Sequence, residues 1–151
     1  MDNFDIRILK EISKNSRKPL RDIGKSIGIF SPSAVSRRIR EMQENSIIKG
    51  FKAEIDFKKL GYNFITVTFV RIRYSPESKE KVAEKIMKIK GILSVYYLLG
   101  DIDFVLITAS SDKTKYENIW DSLSSIVEIE RTDSHTVLRT YRMQDLSMLK
   151  W

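Results

Sequence analysis

Apolar residues at helical spacing mark two short helices at the start of the chain. Asp2 and Asp5 stand at the spacing of a helix N-cap and its third residue ahead of an apolar stripe, which predicts a first helix over about residues 3–14. After a polar break, apolar residues at steps of three and four predict a second helix that begins near Pro19 and ends at Gly28.

A third helix and a strand-like segment come next. Ser31 followed by Pro32 is a well-formed helix start, and it predicts a helix that runs to about Asn45. Residues 47–56 then alternate between apolar and polar side chains, which predicts either a wing or a connecting strand. We place the domain boundary between about residues 50 and 62.

The remaining two thirds of the chain alternate between strand and helix patterns. β-Branched and aromatic residues predict the strands, and glycine and proline mark the ends of the helices and the turns. In chain order, the prediction is a strand at about 64–74, a helix from Ser75-Pro76 to Gly91, strands at 92–99 and 102–109 around a Gly100-Asp101 turn, a helix at 113–125 and a strand at 128–141. The last helix is expected to bury Tyr116, Ile119, Trp120 and Leu123.

This order, βαββαβ, is that of the ferredoxin-like split arrangement, in which helices cover one face of an antiparallel sheet. The predicted fold class is therefore α+β, with an N-terminal helix-turn-helix (winged-helix-like) at residues 1–50, a connecting strand or linker at 51–62 and a ferredoxin-like domain at 63–151. The uncovered sheet face would expose half of the first strand, either Ile65, Val67 and Phe69 or Thr66, Thr68 and Val70. An open apolar sheet face predicts dimerisation through the sheet.

Composition excludes several classes of protein. Hydrophobic residues make up 42% and charged residues 31% of the 151 positions, which is typical of a globular chain and not of a disordered one. The sequence has no cysteine, which excludes disulfides, thiolate metal sites and cysteine nucleophiles and indicates a cytoplasmic protein. We expect no signal peptide, because the start Met1 to Asp5 has two acidic residues and neither a basic nor an apolar region. We also expect no membrane span, since no apolar run approaches the roughly 20 residues that a bilayer requires.

The positive charge is concentrated in the predicted helical module. The net charge is +7, and residues 1–50 carry eleven Lys/Arg against six Asp/Glu, while the other residues carry sixteen against fourteen. This excess predicts that the N-terminal module binds nucleic acid.

The predicted third helix has side chains that fit DNA. Four of them follow one another at steps of three and four and therefore project together, namely Ser33, Ser36, Arg37 and Arg40. Short hydroxyls and guanidinium groups suit a helix in the major groove, where arginine pairs with guanine O6 and N7. Arg38 lies on the flank, where we expect a phosphate contact, and Ser31 completes the predicted DNA-binding set. The alternative is an ordinary amphipathic helix with a solvated basic face.

Several stretches together point to a known family. They are Asp5 to Leu9, Ser31 to Ile39, Ile47 to Phe51, Leu60-Gly61 and Gly100 to Asp103. In this order and spacing the sequence resembles the Lrp/AsnC transcriptional regulators, also called feast/famine proteins, over essentially its whole length. The resemblance implies a helix-turn-helix that binds double-stranded DNA and a βαββαβ domain that forms homodimers and often stacks them into octamers.

The resemblance also implies an effector site, because many members bind an amino acid or a related metabolite where dimers meet. By similarity, the pocket would be framed by Gly100, Asp101 and Asp103 on the hairpin and by Thr132 and Ser134 at the start of the last strand. Turn amides can hold a carboxylate, and an aspartate can take an ammonium group. The alternative is that Gly100-Asp101 is only a hairpin turn. Beyond this effector, no cofactor is expected.

Three positions depart from the family pattern. The turn from Gly28 to Ser31 is one residue longer than usual, and Ser46 stands where a glycine normally ends the recognition helix. Ile102 replaces a commonly aromatic hairpin residue. The first two departures affect which bases each side chain would contact more than they affect the fold, and the third leaves the identity of the effector open.

The sequence offers little support for an enzyme. The only histidine, His135, falls in the predicted last strand, where a histidine is more often packed or exposed than catalytic. We find no glycine-rich phosphate loop, no histidine-containing metal constellation and no nucleophile elbow, and Asp101 with Asp103 would bind a hard cation only weakly. The prediction is a sequence-specific regulator that a small molecule modulates. The alternatives are an architectural DNA-compacting protein with little sequence preference and a metabolite-binding βαββαβ protein.

Overall fold

A computed structural model of the chain describes residues 1–73 and 78–141. The helices are α1 (Asn3–Lys14), α2 (Leu20–Ile27), α3 (Pro32–Glu44), α4 (Ser78–Met87) and α5 (Lys113–Ser124), and the strands are β1 (Phe64–Ile72), β2 (Ile92–Tyr97), β3 (Phe104–Ser110) and β4 (Ile129–Thr136). The chain divides into two compact units, Met1–Glu54 with Tyr141, and Ile55–Thr140. The division falls inside the segment 51–62, and Tyr141, which was expected in the second domain, is grouped with the first unit. No helix in the described residues is long and apolar enough to cross a membrane.

The first unit is a bundle of the three predicted helices. A reciprocal capping box opens α1, because the Asp2 carboxylate accepts from the Asp5 amide at 3.0 Å and the Asp5 carboxylate accepts from the Asp2 amide at 2.8 Å. The apolar faces of the helices, together with one residue that follows α3, meet in a single core formed by Ile8, Ile12, Ile23, Ile27, Val35, Met42 and Ile48. These helices confirm the sequence prediction to within about a residue at each end.

The end of α2 lies very close to the turn that leads to α3. The Gly24 carbonyl accepts from the amides of Gly28 and, at 2.8 Å, of Ile29. A Cβ at Gly24 would lie 2.2 Å from the Ile29 carbonyl oxygen, so only glycine fits there. Gly28 ends α2 in the left-handed conformation, with φ of 85°.

The strand or wing predicted at residues 47–56 is absent, and that prediction is wrong. Residues 47–56 contain no strand, and none is assigned elsewhere in residues 1–54 of this chain. An alternating pattern alone does not make a strand, because the backbone groups need a partner. The segment begins just after Ser46, whose φ of 58° is the left-handed conformation that glycine adopts more easily.

The second unit contains a four-stranded antiparallel sheet in the order β2-β3-β1-β4. Strand β1 is central, and its Val67 lies opposite Ile107 on β3 and His135 on β4. Both helices contribute to the core on one side of the sheet, which consists of Val70, Val82, Ile86, Phe104, Leu106, Ile119, Leu123 and Ile126. This arrangement confirms the predicted βαββαβ order.

The other side of the sheet, turned away from α4 and α5, is called the open face below. Its half-buried apolar residues include Ile65, Val67, Phe69, Val105 and Ile107. Of the two alternatives for β1, the structure therefore exposes the set that begins with Ile65. The set that begins with Thr66 is buried against the helices.

Other details of the second unit differ from the prediction. Trp120 is 48% exposed, because Ile119 and Leu123 occupy the buried stripe and the next residue points about a quarter-turn away. The β2–β3 connection is a six-residue loop closed by the Leu98 amide, which donates to the Asp103 carbonyl at 2.7 Å, and not a two-residue turn. Strand β4 ends at Thr136 and not near residue 141. The predicted helix start at Ser75-Pro76 lies outside the described residues.

Candidate nucleic-acid interface and effector site

The outer face of α3 presents the predicted polar side chains together. Val35 and Met42 are 0% and 3% exposed on the inner side of the helix, while Ser33, Arg37 and Arg40 are exposed on the opposite side. Ser36 is half-buried at the edge of this face. We call Ser33, Ser36, Arg37 and Arg40 the outer face of α3. It combines two hydroxyls with two guanidinium groups on a helix held by its apolar side.

One of these arginines, Arg37, forms an ion pair. Arg37 Nη1 lies 2.5 Å from Glu41 Oε1 one turn later, and the side chains are 65% and 49% exposed. Exposed pairs at this spacing contribute only a few tenths of a kcal/mol, about 0.3–0.5. A phosphate or a guanine can therefore compete with Glu41 for the guanidinium at little cost.

Ser31 is the N-cap of α3. Its hydroxyl accepts from the Ala34 amide at 3.4 Å and lies 2.8 Å from the hydroxyl of Ser33. Pro32 follows at the first helical position. The Ser31 side chain thus orders the first turn of α3, and any DNA contact it makes would come in addition to that role.

Arg38 is separated from the outer face. Its Nη1 lies 2.8 Å from carboxylate oxygens of both Asp2 and Asp5, and its guanidinium lies 5.6 Å from the centroid of the Phe4 ring. The hydrogen bond to Asp5, and next the one to Asp2, raise the pKa of Arg38 above its usual range. The side chain is only 23% exposed. The structure thus gives Arg38 a role in holding α3 to the start of α1, and the phosphate contact expected from the sequence stays a prediction.

Phe30 is an exposed aromatic residue that the sequence analysis did not assign to the site. It directly precedes the N-cap Ser31 and is 84% exposed. In the sequence, the signal for this position is the turn from Gly28 to Ser31, which is one residue longer than the family pattern.

The predicted effector residues fall into two groups. Gly100 and Asp101 are exposed in the β2–β3 loop, where Gly100 has a φ of 142°. Asp103 is half-buried, and its Oδ2 accepts from the Ile72 amide at 2.8 Å while its own amide donates to the Val70 carbonyl at 3.0 Å. Asp103 therefore fastens the loop to β1, so its carboxylate is not wholly available for an ammonium group.

Thr132 and Ser134 lie on β4, opposite Val70 and Thr68 respectively. Strand β1 separates them from the β3 end of the hairpin, a distance of roughly 10 Å at the usual strand spacing. Thr132 is level with the start of β3, whereas Ser134 lies two residues further along and its hydroxyl is 2.9 Å from that of Thr68. The structure thus brings Asp103 and Thr132 to one end of the sheet but does not join the five residues in one pocket of this chain.

His135 lies on the open face. Its Nε2 is 3.3 Å from a carboxylate oxygen of Asp133, and its ring meets Phe69 edge-on at 5.8 Å. Among the described residues, no three His, Asp or Glu side chains are grouped so that they could hold a metal ion. The surroundings of His135 are those of a surface histidine packed against an aromatic ring.

A three-helix unit with a basic outer face and a βαββαβ unit with an open sheet face define a two-domain DNA-binding protein. The family model for the AsnC-type helix-turn-helix domain matches residues 1–43, and that for the Lrp/AsnC ligand binding domain matches residues 67–146. The chain is 32% identical over 142 residues to the HTH-type transcriptional regulator FL11 of Pyrococcus horikoshii, covering 94% of this chain and 92% of that one. The chain belongs to the Lrp/AsnC family of transcriptional regulators.

Solved structures share the fold. E. coli AsnC superposes with a TM-score of 0.85 at 22% identity, over 97% of each chain. The regulator NMB0573 of Neisseria meningitidis, solved as a complex with L-Met, superposes with a TM-score of 0.86 at 23% identity, over 95% of this chain and 93% of that one. These comparisons confirm the predicted fold class. The family matches also confirm the predicted class of function, which is a DNA-binding regulator and not an enzyme.

Proposed function

We propose that this regulator recognises a specific operator with the outer face of α3, and that Arg37 and Arg40 read base edges there. The observation that carries the proposal is the opposition of the two sides of α3, with Val35 and Met42 buried and the two arginines exposed. A recognition helix needs this division, because its inner side anchors it while its outer side enters the major groove. The concentration of positive charge in residues 1–50 supports the same assignment.

Fluorescence anisotropy on the full-length protein tests this proposal. The probe is a duplex that the protein itself selects from a random-sequence pool, compared with a shuffled duplex at two salt concentrations. We expect a preference of about 10³-fold or more at physiological salt. Equal affinity for both duplexes would overturn sequence-specific recognition and favour an architectural, DNA-compacting role.

Two substitutions identify the residues that read the bases. Arg37→Ala and Arg40→Ala should each cost roughly 1–3 kcal/mol on the selected duplex and much less on the shuffled one. Arg17→Ala, which removes an exposed arginine from the turn between α1 and α2, is the matched control and should weaken binding to both duplexes alike. If Arg37→Ala and Arg40→Ala also weaken both duplexes alike, the two arginines contact phosphates and the proposal of base reading fails.

The same proposal includes an amino-acid effector bound at the β2–β3 loop. Support comes from the match to a ligand-binding domain, from the L-Met complex of the Neisseria regulator, and from the exposed Gly100 and Asp101. An effector bound between dimers would take its remaining contacts, among them Thr132 and Ser134, from neighbouring subunits. Calorimetric titration with a panel of free amino acids tests this idea. Asp101→Ala should abolish binding, and Asp121→Ala, an exposed aspartate on α5, should leave it intact; unchanged binding by Asp101→Ala would remove this loop from the site.

We further propose that the chain forms homodimers through the open face and that these dimers stack into octamers. The half-buried apolar side chains of that face support it, since an apolar sheet surface of this kind is usually covered by a partner. A C2 dimer would also present two α3 helices to two half-sites of one operator. The relatives of the chain come from prokaryotes such as Pyrococcus horikoshii, whose DNA lies in the cytoplasm, and on that ground we place the protein there.

A further inference from the structure

Phe30 is a large apolar side chain at the beginning of α3 that the core does not use. It is 84% exposed, whereas the preceding Ile29 packs against the core of the first unit. Other large apolar side chains of this chain are also exposed, but Phe30 stands directly before the N-cap of the helix that we propose to bind DNA, so its ring is available to the same partner.

Local helix chemistry predicts a different place for this ring. A hydrophobic residue directly before an N-cap usually packs on the fourth residue of the helix, which here is Val35. Val35 is 0% exposed, and its Cγ2 lies 3.4 Å from the position that a Cβ on Gly24 would occupy. With Val35 packed in the core beside α2, and with Phe30 84% exposed, the usual contact between the two is not made.

The backbone that carries the ring belongs to a turn that is anchored on both sides. On one side the Gly28 and Ile29 amides donate to the Gly24 carbonyl, and on the other the Ser31 hydroxyl accepts from the Ala34 amide. An aromatic side chain has only two rotatable bonds, so little conformational entropy remains to be lost when it binds. The backbone of Phe30 is therefore fixed at the N-terminal end of α3, and the ring has only two torsions to order when it binds.

That end is where a recognition helix comes closest to the bases. Polar side chains of the outer face can read donors and acceptors, but the C5-methyl group of thymine is read by apolar contact. We propose that Phe30 contacts the C5-methyl group of a thymine in the operator and so selects a T·A pair at that position. This inference rests on the proposed function, because it takes α3 as the helix that enters the major groove.

Replacing thymine by deoxyuridine tests the contact directly, because it removes the methyl group and changes nothing else on the base edge. The selected operator duplex is prepared with each thymine in turn replaced, and the affinity of the full-length protein is measured by anisotropy. For the unsubstituted protein we expect one thymine, or a symmetry-related pair, whose replacement weakens binding by about threefold to tenfold, as removal of one buried methyl group implies. Phe30→Ala should bind the two duplexes equally, and a selection repeated with Phe30→Ala should no longer recover thymine there.

Val127→Ala is the matched control, because Val127 is 78% exposed and lies in the other unit. It should reproduce the thymine profile of the unsubstituted protein. The proposal is overturned if Phe30→Ala shows the same thymine penalties at every position, or if it changes only the oligomeric state, which would mean that the ring meets another protein surface. Failure of this proposal can be told apart from failure of the proposed function by the variants Arg37→Ala and Arg40→Ala. If α3 is the recognition helix, these two variants lose their preference for the selected duplex, whatever Phe30→Ala does.

Discussion

Arg38 Nη1 lies 2.8 Å from Asp5 Oδ1, although the two residues are 33 positions apart in the sequence. The pair joins α3 to the first turn of α1, and its side chains are 23% and 12% exposed. Asp5 also completes the capping box with Asp2. One carboxylate therefore fixes both the start of α1 and the packing of α1 against α3.

Arg38→Ala should destabilise the first unit. The substitution leaves the partly buried Asp5 carboxylate without its cation and removes the contact with the Phe4 ring, and together we expect a loss of about 1–3 kcal/mol. Urea unfolding of the full chain, followed by hydrogen exchange at the α1 and α3 amides, measures it. Arg37→Ala is the matched control, because its exposed ion pair with Glu41 contributes little to stability. Equal stability of the two variants would show that the Arg38–Asp5 pair does not hold the helices together.

Gly24→Ala should also destabilise this unit, against the usual trend for a glycine inside a helix. Alanine is normally preferred there by about 1 kcal/mol. At this position its Cβ would lie 2.2 Å from the Ile29 carbonyl oxygen, which is a backbone atom that moves only with the turn. We expect a net loss of about 1–3 kcal/mol in the free energy of unfolding. Lys25→Ala, an exposed change on the same helix, should be close to neutral, and a stabilised Gly24→Ala would contradict the tight approach.

Ser46→Gly should stabilise the protein. Ser46 has a φ of 58°, and a non-glycine residue in this region is strained, whereas glycine adds flexibility to the unfolded chain. The balance favours glycine by about 0.5–1 kcal/mol. Gly28→Ser is the reverse experiment at another left-handed position with φ of 85°, and thermal unfolding should show the opposite sign. A lower melting temperature for Ser46→Gly would contradict the strain.

The sequence predicts those features of the fold that depend on residues close together in the chain. The three N-terminal helices were predictable because caps such as Asp2 and Ser31, and the apolar stripe behind each, act within a few residues. The strand expected at 47–56 failed because pairing requires a distant partner, which alternation does not reveal. Trp120 was wrongly expected to be buried, because that prediction followed its hydrophobic character, although its position on the helix is beside the buried stripe.

The candidate site shows the same division. The outer face of α3 follows from helical spacing alone, so Ser33, Arg37 and Arg40 were found together. The same spacing placed Arg38 on the flank, but it did not show the ion pairs of Arg38 with Asp2 and Asp5, which lie 36 and 33 positions away in the sequence. A sequence does not show which carboxylate meets which cation, and for the same reason it did not show that the side chain of Asp103 is engaged by the Ile72 amide.

Ile107→Lys should weaken the proposed dimer. Ile107 lies on the open face opposite Val67, and a lysine ammonium buried there against apolar side chains would lack a partner. We expect the dissociation constant of the dimer to rise on the order of a hundredfold in sedimentation velocity. Trp120→Lys makes the same change at an exposed position on α5 and should leave the dimer intact. If both variants dimerise normally, the open face is not the interface.

Acid should weaken the first unit through the group that caps α1. The Asp5 amide, and next the Arg38 guanidinium, hold the pKa of Asp2 below its usual range. A carboxyl group whose pKa is lower in the folded state stabilises the fold at pH values above its unfolded pKa of about 3.9, and this contribution is lost as the pH falls through the folded value. Asp2→Asn keeps an acceptor for the Asp5 amide but has no charge for Arg38. Hydrogen exchange at the α1 and α3 amides measures the difference in the free energy of unfolding between the unsubstituted protein and Asp2→Asn. This difference should therefore be constant near neutral pH and should disappear below about pH 4.

Glu128→Gln provides the matched control for this pH effect in the other unit. The side-chain hydrogen bond from Lys85 lowers the pKa of Glu128, so its contribution has the same sign and is also lost in acid. Its effect should appear at the amides of α4 and β4 and leave those of α1 and α3 unchanged. A gap for Asp2→Asn that persists unchanged into acid would mean that the substitution acts through capping geometry and not through charge. The lowered pKa of Asp2 would then contribute nothing to the stability of the helical unit.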